Sequence, residues 1–326
     1  MFSINKTKSV KKLSKLSKKM LFKNKRNKEF FRSFRIPWWI ILLSKLVISG
    51  SPKLRFYFEK RGFFSSGAME SSVYAFKTFK FHIDKALKNG FQIQKSVILE
   101  IGPGNSLISG LLGFNCGAGG TILVDSQKLS STDVELYSRQ SLALKKYLNE
   151  DKDLEIIRDI NFSDVDSFDE FLKYTNTKYL TDGLQSFKGL DSNSCDLIWS
   201  QSVLQHFFLD EVADLIKEQK RVLKPSGIVS HAIDFKDTIS ESLNNLRFSE
   251  KNWENKKIKS AGFYTNRLRL NDWIRLYESE GFKIIDIEIR KWDNLPIPIN
   301  NLHKEISGKY TEDELKVSGV KLLLKL

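Results

Sequence analysis

The chain has 326 residues, of which 41% are hydrophobic and 28% charged, so it can build a core and is not disordered as a whole. Its two cysteines, Cys116 and Cys195, exclude a disulfide framework and a Cys-cluster zinc site, and four histidines leave little for a metal centre, so no metal is expected. The net charge of +14 is concentrated: residues 1–35 hold 13 Lys/Arg against Glu29 alone, while the rest is nearly neutral, which argues against a nucleic-acid groove on the main body.

In chain order, residues 1–35 form a basic arm. Val10, Leu13, Leu16, Met20 and Leu21 recur at near-helical spacing among its lysines. That pattern reads either as a basic amphipathic helix for an anionic membrane surface or as a solvated arm. No small-residue cleavage site follows, so a secretory signal is not expected. The stretch Ile36–Leu43 and Leu46–Ile48 is too short to span a bilayer and is interrupted by Lys45. The expectation is a helix packed on the main domain, with an interfacial role for Trp38-Trp39 as the alternative. Residues 36–91 read as a helical N-terminal extension, in which Ser71–Lys88 places Val73, Phe76, Phe79, His82, Ile83 and Leu87 on one side before the stop at Asn89-Gly90.

Residues 92–326 then change character. Short β-branched runs at Val97–Ile101, Thr121–Val124, Asp196–Trp199, Gly227–Ile233 and Phe282–Ile289 alternate with helical stretches at 133–149, 167–174, 209–223 and 271–280. This is the pattern of βαβ units: an α/β, Rossmann-like, doubly wound and mostly parallel sheet. Val317–Leu326 is expected to close it as an antiparallel edge strand. Residues 235–270, rich in Asn, Ser and Lys, read as a small cap inserted over the carboxyl edge of the strands, where open α/β sheets bind ligands.

The strand Ser96–Ile101 runs directly into Gly102-Pro103-Gly104-Asn105-Ser106, and a helix can begin at Leu107. Strand, glycine turn and helix bring backbone N–H groups up to an anionic ligand, and a Cβ would obstruct that approach. Leu107 stands where a dinucleotide fingerprint wants Gly or Ala, and no Walker A sequence occurs. A second strand ends in Asp125, 23 residues after Gly102, where a carboxylate can accept hydrogen bonds from ribose hydroxyls.

Glu100-Ile101-Gly102-Pro103-Gly104 resembles motif I of the class I S-adenosylmethionine-dependent methyltransferases. Asp196-Leu197-Ile198-Trp199-Ser200-Gln201-Ser202-Val203-Leu204-Gln205-His206 resembles their fourth-strand motif, and Arg221-Val222-Leu223-Lys224-Pro225-Ser226-Gly227 the turn before strand five. A tighter likeness runs through Pro37-Trp38-Trp39, His231-Ala232-Ile233-Asp234, Asn244–Phe248 and Tyr264–Arg269 to bacterial methyltransferases associated with sugar and surface-glycan biosynthesis. The resemblance implies S-adenosylmethionine as cofactor. It implies a donor site formed by Glu100, Gly102, Pro103, Gly104, Ser106, Asp125, Ser126, Asp182, Gly183, Ser200 and Gln201, with Asp159 competing with Asp182 for the adenine contact. Relatives with E-x-x-E-H use a divalent ion; here Ser202 and Gln205 replace both carboxylates.

A hydroxyl acceptor needs a base to remove its proton. His206 and His231, with Asp234 as an orienting carboxylate, are the catalytic candidates, and hydrogen bonding to substrate or a packed structural role are the alternatives. In the cap, Arg247, Tyr264, Asn266, Arg267 and Arg269 are the substrate-binding candidates, against loop tethering. The function expected is methyl transfer to a small molecule, foremost O-methylation of a sugar or glycan intermediate. The alternatives are another small molecule or lipid at a membrane surface, and a ligand-binding module without turnover. The expected location is cytoplasmic, with peripheral contact to the inner face of the membrane through residues 1–49 as an open question.

Overall fold

The computed structural model describes residues 37–51, 53, 54, 57 and 68–326. The basic arm and its expected amphipathic helix lie outside these residues.

Helix α1, Trp38–Ser49, starts after Pro37. Helix α2, Ser72–Leu87, is capped by Ser71, whose hydroxyl accepts from the Tyr74 N–H. The α/β body follows: β1 Val97–Ile101, α3 Ile108–Asn115, β2 Gly120–Val124, α4 Val134–Asn149, α5 Phe168–Tyr174, β3 Thr177–Leu180, α6 Gln185–Lys188, β4 Cys195–Gln201, α7 Val212–Val222, β5 Leu223–Asp234, α8 Leu270–Ser279, β6 Lys283–Lys291 and β7 Val317–Lys325.

The seven strands lie in the order β3-β2-β1-β4-β5-β7-β6. The first five are mutually parallel, and β7 runs antiparallel to both β5 and β6. The C-terminal strand is therefore not at the edge, as the sequence led one to expect. It is wedged between β5 and β6, and β6 is the edge. Burial accounts for this: eight of the nine β7 residues are buried or partly so, with Lys321 alone exposed, whereas seven of the nine β6 residues are exposed and none is buried. A run of apolar residues marks a strand covered on both faces; it does not tell which strands flank it.

Alternate strand residues face opposite layers. On one face Ile98, Leu123, Leu197, Trp199, Ile228 and Leu323 pack under α2, α3, α4 and α5. Helix α2 presents Ala75, Phe76, Phe79, Ile83 and Ala86 to this layer, the spacing of a single helical face, while Val73 is exposed. On the other face Leu99, Ile101, Ile122, Val124, Ile198, Val229 and Ile233 pack against α6, α7 and α8. The order reverses between β1 and β4, so their carboxyl ends open a crevice of the kind that binds ligands in doubly wound sheets.

The segment 235–270 forms the cap, with two single-turn helices at Glu250–Trp253 and Lys256–Lys259. Its core is Ile239, Trp253, Ile258, Ala261, Phe263 and Tyr264, and α1 completes it with Leu42. Two polar ties hold α1 there: Lys45 Nζ donates to the Thr238 carbonyl at 2.5 Å and Ser49 Oγ to the Ala261 carbonyl at 2.7 Å.

Candidate active site

The glycine turn lies at the carboxyl end of β1. Gly102 and Gly104 take φ of +75° and +70°. A Cβ on Gly102 would come within 2.4 Å of Val203 Cγ2, so the turn can lie against the segment after β4 only with glycine here. Pro103, between them, is buried. At the end of β2, Asp125 is 8% exposed and accepts from the Gly104 N–H at 3.2 Å and the Ser126 N–H at 2.7 Å. Gly183 N–H donates to the Asp125 carbonyl, which brings Asp182-Gly183 and Ser126 to the same edge. Asp159 instead lies in an irregular segment, ion-paired to Lys145, while the strand that ends at this edge is β3.

Glu100, the penultimate residue of β1, is 2% exposed, and its Oε2 has no hydrogen-bond partner. Burial pushes its pKa up to about 8, and Asp125 adds to the shift. An unpaired carboxyl oxygen beneath a glycine turn is an open acceptor for a cation.

Ser106 and Ser200 turn elsewhere. Ser106 is fully buried and donates to Gln140 Oε1 at 3.1 Å, tying the turn to α4. Ser200 Oγ is 2.8 Å from His231 Nδ1 inside the opposite layer. Gln201 stays at the crevice, where its Oε1 lies 3.3 Å from His82 Nε2.

The two candidate histidines have different fates. His231 is 0% exposed, with Nδ1 against Ser200 and Nε2 against Gln219 Oε1, each at 2.8 Å. Burial lowers its pKa to about 3, and both nitrogens are occupied. It is a packed strut between β4, β5 and α7, with no nitrogen left for an acceptor. The strand alternation decides this, because Ala232 and not His231 points into the crevice layer.

His206 ends a 3₁₀ turn, Leu204–His206, and presents its surface to solvent. Protein surrounds the rest of it closely enough that desolvation lowers its pKa. Its Nδ1 is 2.9 Å from the Tyr264 carbonyl. A carbonyl only accepts, so Nδ1 carries the proton and Nε2 of the neutral ring keeps its lone pair. Asp234 is not hydrogen-bonded to either histidine. It pairs with Lys236 and Arg290, each at 3.4 Å, and acts on His206 through space, favouring the protonated ring. The expected carboxylate orienter is thus replaced by a backbone carbonyl.

The five cap candidates all bind protein. Arg269 is 2% exposed and its fork donates to the carbonyls of Phe235, Leu315 and Val317. Arg267 donates to the Phe248 carbonyl, and Arg247 to Asn244 and Asn301 with its guanidinium over the Trp38 ring. Tyr264 donates to Glu254 at 2.8 Å, and burial raises its pKa. Asn266 Nδ2 donates to the carbonyls of Leu204 and Phe207, bracing the turn that carries His206. Guanidinium forks fit main-chain carbonyls as well as they fit anionic ligands, and here each of the three donates to at least one carbonyl of its own chain.

A cavity of about 290 Å³ opens beside Gln201 and Ser202, walled by Ala232, Ile233, Glu288, Arg290, Gly319 and Lys321. Ser202 sits at φ +54°, a costly conformation for a non-glycine residue. Gln205 links the parts: its Nε2 donates to the Ser202 carbonyl at 2.8 Å and lies 3.5 Å from His206 Nε2. Glu288, Arg290 and Lys321 carry no signal in the sequence, because only the pairing of β7 with β5 brings the β6–β7 wall to this cavity.

Residues 99–230 match the family model of a methyltransferase domain. This segment is a methyltransferase domain. It contains the glycine turn, Asp125 and His206, and the match supports methyltransferase activity with S-adenosylmethionine as cofactor. The residues fit that cofactor: a positive-φ glycine turn, an unpartnered buried carboxyl oxygen at Glu100, and Asp125 at the next strand end. No curated protein matches the chain. Among solved structures, a S-adenosylmethionine-dependent methyltransferase from Methanosarcina mazei is similar at 16% identity, over 74% of this chain and 97% of that one, with a TM-score of 0.44. One from Mesorhizobium loti is similar at 14% identity, 74% and 96% coverage and a TM-score of 0.38. The [4+2]-cyclase SpnF is similar at 12% identity, 74% and 78% coverage and a TM-score of 0.41.

Proposed function

We propose that the chain methylates a hydroxyl group of a sugar or glycan intermediate, with His206 as the general base. The observation that carries this reading is the tautomer of His206: Nδ1–H is committed to the Tyr264 carbonyl, which leaves Nε2 of this exposed side chain as a lone-pair acceptor, with the Gln205 amide 3.5 Å away. When bound, S-adenosylmethionine supplies a methyl group already activated on a sulfonium sulfur. Glu100, the turn Gly102–Gly104, Asp125, Ser126 and Asp182-Gly183 are the residues to hold it.

The chain's own part in the chemistry is to position the acceptor and to take its proton. A sugar hydroxyl has a pKa far above 7, so its oxygen is a poor nucleophile until a base draws off the proton. Nε2 of His206 accepts it, and the resulting imidazolium is held by the Tyr264 carbonyl and favoured by the nearby Asp234 carboxylate. The lowered pKa keeps His206 neutral at pH 7, so it is base-competent there without a partner to deprotonate it.

The cavity supports the acceptor class. Its volume of about 290 Å³ lies at the small end of ligand sites, roughly 300–1,000 Å³, and suits a single sugar unit. Gln201, Ser202, Glu288, Arg290 and Lys321 offer both donors and acceptors to hydroxyls. The sequence likeness to sugar methyltransferases points the same way.

The test is S-adenosylhomocysteine formation with a panel of monosaccharides, nucleotide sugars and lipid-linked sugars, each with His206→Gln alongside. Turnover in the variant is expected to fall by about 10²–10⁴, the usual contribution of a general base, with donor affinity unchanged. Undiminished turnover in His206→Gln sinks the base, and turnover with amine or thiol acceptors added to the panel but with none of the sugars sinks the acceptor class.

A further inference from the structure

Helix α1 is polarised against the rule for a helix on a water-exposed surface. Its one charged residue, Lys45, points inward to the Thr238 carbonyl. Its outer side carries Trp39, Ile40, Leu43 and Val47, exposed at 50%, 41%, 54% and 64%, and Ser44 is the one polar side chain among them. The spacing 39, 43, 47, with 40 beside it, is one continuous helical stripe. The inner side is already satisfied, since Leu42 is buried in the cap core and Ser49 is bonded to the Ala261 carbonyl. The stripe is therefore not a core face left slightly open; it is a second apolar face, pointing away from the rest of the described residues.

The chemistry of what covers it is restricted by the neighbouring sequence. The 35 residues that lead up to the helix hold 13 Lys/Arg and one acid. A partner must offer an apolar layer deep enough for Trp, Ile, Leu and Val, and dense negative charge within reach of a short segment. Nucleic acid has the charge without the layer. The interface of an anionic bilayer has both: apolar side chains enter the acyl boundary while lysines meet the headgroups. At about 1.5 Å per residue the 12-residue helix extends about 18 Å, far short of a hydrocarbon core of about 30 Å. Among the described residues no helix is long and apolar enough to cross a membrane. The geometry fits a helix lying flat in the interface.

We propose that the outer face of α1 and the basic arm before it dock the protein on an anionic membrane surface, with the cap seated directly above the contact. The inference rests on α1 and the charge of the arm, and does not depend on the acceptor assigned above. The test is flotation of the 326-residue chain with vesicles of phosphatidylcholine alone and with about a third phosphatidylserine, a composition that supplies a negative surface potential. Binding is expected to the anionic vesicles only, and to weaken strongly in high salt. The double variant Leu43→Ser/Val47→Ser changes only outward side chains and is expected to lose vesicle binding by roughly tenfold or more, as the burial energy of two such residues requires, with an unchanged melting temperature. Equal vesicle binding by variant and parent overturns the proposal. So does a dimer in sedimentation velocity that the same variant converts to monomer, which would assign the stripe to a second copy, and so does binding to RNA in the absence of vesicle binding.

Discussion

Glu100 holds an oxygen without a partner in the interior, and its environment keeps it protonated at neutral pH. That state is suited to an empty cleft, since a neutral acid tolerates burial that a carboxylate does not. A cation placed beside it reverses the balance and drives the proton out. Calorimetric titration with S-adenosylmethionine at pH 7, in buffers of different ionisation enthalpy, is expected to show release of close to one proton per site, and Glu100→Gln is expected to abolish that release. Identical heats in both buffers for the parent would show that Glu100 does not meet the donor's ammonium. His206 belongs to the same scale. Because its pKa is lowered from the usual 6.5, the acid limb of kcat/KM is expected below pH 6.5 and absent from His206→Gln, as read from the pH profile.

At the scale of the element, the site depends on how close two segments approach. The glycine turn after β1 rests on Val203 with no room for a methyl group, and Gly110 and Gly113 let α3 press on Thr177 and Thr121 of the sheet in the same way. Gly102→Ala faces a positive φ as well as a side chain at 2.4 Å. It is expected to destabilise the fold by roughly 2–6 kcal/mol, the combined range for left-handed strain and overpacking. Val203→Ala in the same chain is expected to restore part of that loss, because it relieves the contact and not the backbone strain. Urea melts of the three variants check this, and an unchanged midpoint for Gly102→Ala would contradict the packing described. The elements themselves were largely legible. Strands β1 and β2 and helices α2, α4, α5 and α8 fall within a residue or two of their periodic patterns, since each shows one apolar face or one short β-branched run. The glycine turn was legible too, because strand, glycines and helix are contiguous in the chain. The roles of Arg247, Arg267 and Arg269 were not, for a guanidinium reads the same whether it grips a ligand or a carbonyl of its own cap.

For the molecule as a whole, three layers and a cap are joined by buried polar side chains, and two of these are histidines. His82 joins α2 to the sheet through Ser230 and Gln201, and His231 joins the sheet to α7 through Gln219. Burial lowers both pKa values to about 3. The native state therefore excludes protons that the unfolded chain takes up below about pH 6.5, so stability supplied by these neutral rings is present above that pH and is lost as pH falls towards 3. His231→Gln is expected to be less stable than the parent at pH 7. The gap is expected to narrow by up to about 1.4 kcal/mol per pH unit between roughly pH 6 and 4, where the parent alone carries this penalty. Denaturant melts across that range measure it, and a gap independent of pH would mean that His231 is not held neutral.

The sequence by itself determined the alternation of strands and helices, the glycine turn with its flanking acids, and the concentration of positive charge before residue 36. Those are local patterns, set by side-chain period, turn chemistry and simple counting. The tertiary structure alone decided that β7 enters between β5 and β6, that His231 is sealed against the sheet while His206 is exposed, and that the cap arginines bind their own chain. Each of these depends on which face a side chain is turned to and which distant segment lies opposite, and strand pairing across long separations sets both.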